Sequence, residues 1–564
     1  MKKKENIAII VLLLVMAIAI IGVSYAAFSY SGLGSKVNSI TTGSITMTYT
    51  ETDNTISLTG ALPTADKTGM VRMNPGEYFD FNVSSEIMGN VNINYEISAK
   101  DITVLDGEQK KMDGSNIKLY LTKLNDDGTE EALMVPETYN EEASENTYTG
   151  RPSGEMSLYT SSMNSSESND YRLRMYVDES YNPQGDGGGL VFTIQVNVYG
   201  KSGDKYVPLT TQEILEDNEL QEEKTNMFNY TSNGNYMDFS SMSQQNDPDY
   251  ITNGIYSMED EDGVSYYFRG NVDNNNVQFG EYDNDYYVYQ YDGLYFQSIA
   301  SCQEYNSSCS ESNRVKLASA GDKMYWKIVR VNGDGSLRLI YNGTSTNPDN
   351  SDLAHSYLVG LAPYNLNYDN PKYTGYTYDN GTDSFIKKEV DTWYKNTLGS
   401  NSSYDSKVLG GRFCSDSSGY KSASEYGFSG ADGTNVFASF DRLGQVINNF
   451  AKPNSPTLKC PVTSESYGGS YRLKAGLITA DELVLGGENI QLTTDSYLNP
   501  GNSFMYYYSM TPANFFDGTA FVWTGFPIND FVVRDTGVRP VINVTTDNGF
   551  TSGDGSSVNP YLIS

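Results

Sequence analysis

Residues 78–98 read YFDFNVSSEIMGNVNINYEIS. Within them YFDFNVS (78–84) and VNINYEIS (91–98) alternate apolar with polar side chains on either side of a Gly-Asn break. Alternation at period two turns one face of a strand inward, whereas a helix needs apolar positions three and four residues apart. The pattern recurs at 44–50 (SITMTYT), 117–123 (IKLYLTK), 171–177 (YRLRMYV) and 190–199 (LVFTIQVNVY), each bounded by Gly, Asn, Asp or Pro. Runs of this kind without intervening helices predict an all-β antiparallel sandwich, jelly-roll-like, over residues 28–200.

Outward from this segment the pattern changes. Thr210-Thr211-Gln212-Glu213 resembles a capping box ahead of EILEDNELQEEK, and the Asn-, Ser- and Tyr-rich stretch that follows has few aliphatics to bury. Residues 201–250 are therefore expected to be an acidic helix and a linker. Residues 251–564 mix strands and helices. YWKIVRV (325–331), the turn Asn332-Gly333-Asp334-Gly335 and SLRLIY (336–341) predict a hairpin, because Asn and Gly accept positive φ. Asn332, Asp334 and Ser336 only superficially resemble calcium ligands, since Leu337 stands where an EF-hand needs Gly. Ser384 can cap a helix with Ile386, Val390, Trp393, Tyr394 and Leu398 inward and Gly399 as its stop. A second helix is expected through 442–450 and a short third after the capping box Thr479-Ala480-Asp481-Glu482, with strands at 504–510, 520–525 and 537–544. This second domain reads as α+β.

The chain has 564 residues, with 38 Lys and Arg against 71 Asp and Glu, for a formal charge of −33. So acidic a chain repels phosphate backbones, which argues against nucleic acid as partner. One histidine excludes HExxH zinc chemistry, and that residue, His355, has no nucleophile motif beside it. The start, MKKKENIAIIVLLLVMAIAIIGVSYAAF (1–28), has a cationic head, an apolar run and small residues, Ser24 and Ala26, at the two positions a signal peptidase reads before a cut after Ala26. This is the layout of a secretory signal. Residues 1–27 are thus read as a signal peptide or, because 7–28 is long enough to span a bilayer, a membrane anchor with Lys2, Lys3 and Lys4 inside. Either way the protein is expected outside the cytosol, secreted or on the cell surface. No LPxTG-like sorting signal closes the sequence.

Four cysteines in an exported chain suggest bridges, for which three pairings exist. Local pairing of Cys302 with Cys309 and of Cys414 with Cys460 is favoured, worth roughly 2.5 and 4 kcal/mol on the chain-entropy estimate. Four buried thiols are the alternative. No cysteine lies in a CxxC.

AAFSYSGLGSKVNSITTGSITMTYTET (26–52), with Asn38, Ile40, Gly43 and Ile45 in its strand, resembles the N-terminus of TasA and camelysin-type exported matrix proteins of Firmicutes. That resemblance implies a jelly roll and possible self-assembly through the N-terminal strand. YYFRGNVDNNNVQFG (266–280), GLITADELVLGG (476–487), YYSMTP (507–512) and GVRPVINV (537–544) are similar to a domain recurrent in exported gut Firmicutes proteins. More distantly, the late hairpins are similar to the formylglycine-generating-enzyme/C-type-lectin-like fold, which implies a binding tip.

Chemistry is read from side chains. Exposed aromatic faces beside amides and carboxylates suit sugars or partner proteins. Two sets qualify: Tyr266, Tyr267, Tyr282, Tyr286, Tyr287, Tyr289, Tyr291 and Tyr295, and the ligand-binding set Tyr506, Tyr507, Tyr508, Phe515, Phe516, Trp523, Asn529 and Asp530. Half of these rings are expected to fill the core of an aliphatic-poor domain. Calcium loops at 125–128, 259–262 and 283–285 are read as turns, since neighbouring carboxylates repel. No metal site, cofactor or catalytic residue is assigned. Arg539 in GVRP is expected to pair with a carboxylate and pin the last strand. The reading is an exported surface or matrix protein, structural or adhesive, not an enzyme, with a glycan or protein ligand. The alternatives are a carbohydrate-active enzyme using Asp481 with Glu482 or Asp530 with Asp535, and a phage-encoded receptor-binding protein.

Overall fold

The computed structural model describes residues 29–203 apart from 34–36, 43–44, 52–56, 60–61, 74–77, 88–91, 108, 126–127, 164–165 and 183–189. It also describes residues 209–563 apart from 222–228, 232–233, 237–252, 379–380, 427–433, 444–455, 462–467, 488–495, 500–505, 526–528 and 546–548. Residues 1–28, with the expected signal or anchor, Asp126 and Asp127, and 444–450 of the expected second helix lie outside these residues. The chain divides into two bodies, Met1–Tyr206 and Val207–Ser564.

The first body is two sheets, predominantly antiparallel, around one core. The runs at 78–84 and 91–98 fall in different sheets. Tyr78–Ile87 lies between Glu167–Asp178 and Ile45–Glu51, whereas Asn92–Asp101 lies between Leu190–Gly203 and Met156–Met163. Phe79, Phe81 and Val83 from one sheet and Ile93, Ile97 and Ala99 from the other are buried in a shared cluster, as sandwich packing requires. Phe81 stacks on Tyr171 at 5.4 Å between ring centroids, and the Tyr171 and Tyr95 hydroxyls bond to each other at 2.8 Å. Each large apolar side chain so buried stabilises the fold by ~1.5–3 kcal/mol. Both N-terminal strands pair within their own chain: Ser29–Leu33 along Leu190–Gly203, and Val37–Thr42 along Ile45–Glu51.

The second body is mixed, mostly strand with short helices. Its largest sheet runs Gly254–Asp260, Gly263–Arg269, Lys323–Val331, Leu337–Tyr341, Val541–Val544, Val408–Leu409. The 325–341 hairpin forms as expected, with Gly335 at φ 86° and Ser336 N donating to Asp334 Oδ1 at 2.9 Å, so these oxygens hold a turn. A five-stranded sheet orders Arg314–Ala318, Tyr286–Tyr291, Leu294–Phe296, Gly360–Ala362 and Thr536–Val538.

GVRPVINV is not one strand. Thr536–Val538 ends in the five-stranded sheet and Val541–Val544 begins in the larger one, with Arg539-Pro540 at the crossing. Arg539 is fully buried, but it pairs with no carboxylate among the described residues. Its guanidinium donates to the Tyr341 carbonyl (2.8 Å), the Leu498 carbonyl and Asn342 Oδ1, and lies over the Tyr357 and Tyr507 rings. A carboxylate is unnecessary because carbonyls and ring faces satisfy the cation where two sheets meet.

Ser384 caps helix Phe385–Asn396, whose Ile386, Val390, Trp393 and Tyr394 are buried. Helix Leu209–Asp217 belongs to this body. Glu213 accepts from the Phe550 amide, Asp217 from the Tyr561 hydroxyl, and Ile214 enters the core. Thr210 and Thr211 sit inside the helix rather than at its cap. Helix Ala438–Leu443 overlaps the expected 442–450 helix only at its end, and Ala480–Leu485 follows the Thr479–Glu482 capping box. The cysteines pair locally, Cys302 with Cys309 and Cys414 with Cys460. Among the described residues no helix is long and apolar enough to cross a membrane.

Candidate ligand groove

The late aromatic set divides. Tyr508–Phe516 and Thr519–Thr524 form a hairpin, extended by Asn529–Phe531. Tyr507, Tyr508 and Trp523 are buried, and their polar atoms are used internally. The Tyr507 hydroxyl donates to the Leu498 carbonyl (3.2 Å), the Tyr508 hydroxyl bonds the Phe531 and Arg534 carbonyls (2.9 and 2.8 Å), and Trp523 Nε1 donates to Ser439 Oγ (3.1 Å). These three rings have no face to offer a ligand. Phe515 is half-buried; Tyr506 and Phe516 are exposed (38% and 45%) but flank opposite ends of one nine-residue strand. Asn529 donates to Asn514 Oδ1 (2.9 Å), and buried Asp530 accepts from the Phe531 amide and from Arg534. The eight residues share no single surface.

The earlier tyrosine run behaves differently. The loop 283–285, strand Tyr286–Tyr291, the start of helix Ile299–Tyr305, Arg314, and Asn396, Thr397 and Ser400 after helix Phe385–Asn396 enclose a groove of about 360 Å³. Its volume falls in the ~300–1,000 Å³ range of small-ligand sites. Alternation along Tyr286–Tyr291 sends Tyr286 and Val288 inward and leaves Tyr287 and Tyr289 half-exposed. Arg314 lies 3.7 Å from the Tyr287 ring centroid, and the Tyr289 hydroxyl donates to Glu311 (3.1 Å). Asp283 accepts from Asn401, and Asp285 from the Ala320 amide while pairing with Lys316. These carboxylates brace the rim.

The floor is a relay of buried polar groups. The Tyr286 hydroxyl donates to Gln297 Oε1 (2.9 Å), Gln297 Nε2 to the Val359 carbonyl (2.6 Å), and the Gln297 amide to Glu389 Oε2 (2.7 Å). Burial pushes the Glu389 carboxyl up to about 7, against the opposing pull of Ser301 and the Gln297 amide. The Cys302–Cys309 bridge ties helix Ile299–Tyr305 to the turn leading into Arg314–Ala318, so one covalent link sets two walls. Tyr282, Tyr286, Tyr287 and Tyr289 were visible in the sequence. Gln297, Arg314, Asn396 and Thr397 were not, because their approach depends on strand and helix pairing.

The paired carboxylates are engaged elsewhere. Asp481 binds Arg442 through both oxygens (2.7 and 2.8 Å), and Glu482 meets Arg330 (3.0 Å) and Arg338 (2.5 Å). Burial works against charge on Glu482, yet Arg338 and Arg330 hold it below the usual carboxylate range. The cavity among these groups is only about 30 Å³, enough for about one water. Asp260 of the 259–262 loop caps the Gly333 amide and pairs with Arg330, and His355 is an exposed partner of Asp352. Among the described residues no three His, Cys, Asp or Glu converge as a metal-ligand set.

No family model matches the chain, and no curated protein matches it. Among solved structures it is similar over about a third of its length to two from infectious bursal disease virus. One is the VP2 subviral particle (8% identity, 31% of this chain and 33% of that one, TM-score 0.16) and the other the Gx strain structure (8%, 32% and 34%, 0.14). The chain thus spans about a third of the length of each.

Proposed function

We propose that this chain is an exported cell-surface or extracellular-matrix protein of structural and adhesive role, whose second body binds a glycan in the groove beside Tyr287 and Tyr289. The observation that carries the reading is the groove itself. Two half-exposed rings stand beside Asn284, Asn396 and the Asp283 and Asp285 carboxylates, the mixture of apolar faces and amide or carboxylate groups that sugar rings contact. A charge of −33 disfavours acidic polymers, so neutral oligosaccharides are the expected class. Two disulfides support an oxidising, extracytosolic compartment. The arginine partners of Asp481 and Glu482 leave those carboxylates without the free pair a glycosidase uses. The N-terminal strands, if released from their own sheets, are the candidate route to self-assembly.

The test is a glycan array probed with the mature chain, followed by titration and a hydrolysis assay on each hit. Binding without turnover, weakened at least ~10-fold by Tyr287→Ala, is expected. Unchanged binding in Tyr287→Ala and Tyr289→Ala would remove the groove from the reading, and turnover would replace adhesion with catalysis.

A further inference from the structure

Lys327 is a buried lysine in the middle of the largest sheet of the second body. Directly opposite it, in the antiparallel register of Asn276–Glu281 with Lys323–Val331, stands Asn276, itself fully buried. Directly paired residues point to the same face with Cβ atoms about 4.5–5.5 Å apart. On its other side Lys327 faces Ile340, which offers no acceptor, and among the described residues no group takes a hydrogen bond from its ammonium. The Asn276 carboxamide is held by one end only. Its Nδ2 donates to the Asp273 and Gly555 carbonyls, both at 2.9 Å, with Asp273 Oδ1 at 3.5 Å. Its Oδ1 is buried and accepts from no described residue.

Asp273 is also the carboxylate whose charge acts on Lys327, and its own carbonyl and Oδ1 face Asn276 Nδ2. Asp273 is exposed and held by Ser557 Oγ at 3.0 Å. Burial lowers the Lys327 ammonium to about 8, with Asp273 opposing and Arg539 reinforcing the shift, so a useful fraction is neutral amine near neutral pH.

We infer that Lys327 and Asn276 join in an intramolecular amide bond that staples two neighbouring strands. Lys327 Nζ attacks Asn276 Cγ, the Nζ–Cγ bond forms and the Cγ–Nδ2 bond breaks. Nδ2 departs as ammonia, carrying a proton that Asp273 accepts from Nζ and passes on. No oxidant, reductant or second substrate is needed. The cross-link removes a buried charge, and it holds the sheet against pulling, which suits a surface protein.

The experiment is intact mass of the purified, fully reduced chain with tryptic mapping. The expected mass lies about 17 Da below that calculated for the purified chain from its own termini, the deficit of one ammonia. Trypsin should not cut after Lys327, and a branched peptide joining 276 to 327 should appear. Lys327→Met and Asn276→Ala should each restore the full sequence mass, and Asn276→Asp should lose water, about 18 Da, instead. A wild-type chain at full mass, with 276 and 327 in separate linear peptides, would overturn the inference. So would a deficit that persists in Lys327→Met, since that marks asparagine closing on its own backbone.

Discussion

Two aromatic-rich stretches meet different fates. At 282–295 strand alternation leaves Tyr287 and Tyr289 half-exposed at a groove, while at 506–523 Tyr507, Tyr508 and Trp523 are swallowed by the core. The difference is position in the sheet. Tyr286–Tyr291 alternates buried with half-exposed residues beside a groove that helices Ile299–Tyr305 and Phe385–Asn396 help to line, whereas Tyr508–Phe516 is buried over most of its length. An aromatic count therefore measures how much ring surface a domain owns, not how much it displays.

The comparison can be broken most forcefully at its buried member. Trp523→Ala should cost about 3–5 kcal/mol, read as a shifted denaturation midpoint, by leaving a cavity beside Phe440 and Ser439 without its indole partner. A loss below about 1 kcal/mol would mean the hairpin is not core.

Next in size is the pH response under the groove. Burial raises Glu389 to about 7, above the 4.5 of an unperturbed glutamate, so the folded state holds the proton more tightly. The stabilisation is complete at low pH and is lost as pH rises from about 4.5 through 7, by at most about 3 kcal/mol. Glu389→Gln, which can still accept from the Gln297 amide, should flatten this slope. Stability curves of the two chains from pH ~4 to ~8 check it, and parallel curves would reject the assignment.

Smaller still is the groove's covalent brace. Cys302→Ser with Cys309→Ser should cost roughly 2.5 kcal/mol. Unlike Trp523→Ala, it should weaken the proposed glycan binding in chains that remain folded, since Arg314 follows the bridged turn. The least effect on stability, under about 1 kcal/mol, is expected for Tyr287→Ala, where half-exposed area is removed. Calorimetric midpoints beside binding titrations would separate the two: a large loss of stability would make Tyr287 a core residue like Tyr508.

Much of the fold was legible because its signals are local. Alternation marked the strands around 78–98, Ser384 and Thr479 marked helix starts, and Asn332–Gly335 marked a turn, each resting on residues within one or two turns of chain. The boundary at 201–250 was less so. The acidic helix was legible, but not its packing: Ile214 is buried and Glu213 and Asp217 bond residues more than 300 positions away. For the candidate site, the tyrosines stood out in the sequence, whereas Asp283-Asn284-Asp285 read as a turn and ligand binding was expected at 506–530. Their partners Gln297, Arg314 and Asn396 carry no pattern of their own, and Arg539 was given the wrong kind of partner because carbonyls leave no trace in composition.

By itself the amino-acid order determined a strongly acidic chain with the layout of an exported protein, a strand-rich first part and a mixed second part, and it favoured local cysteine pairing without fixing it. Those properties follow from charge, periodicity and short spacings, which neighbouring residues carry. Only the tertiary structure decided which tyrosines stay wet, that GVRP passes from one sheet to another, and that Lys327 stands opposite Asn276. Register and packing bring together residues tens to hundreds of positions apart, and whether a side chain is buried depends on what arrives to cover it.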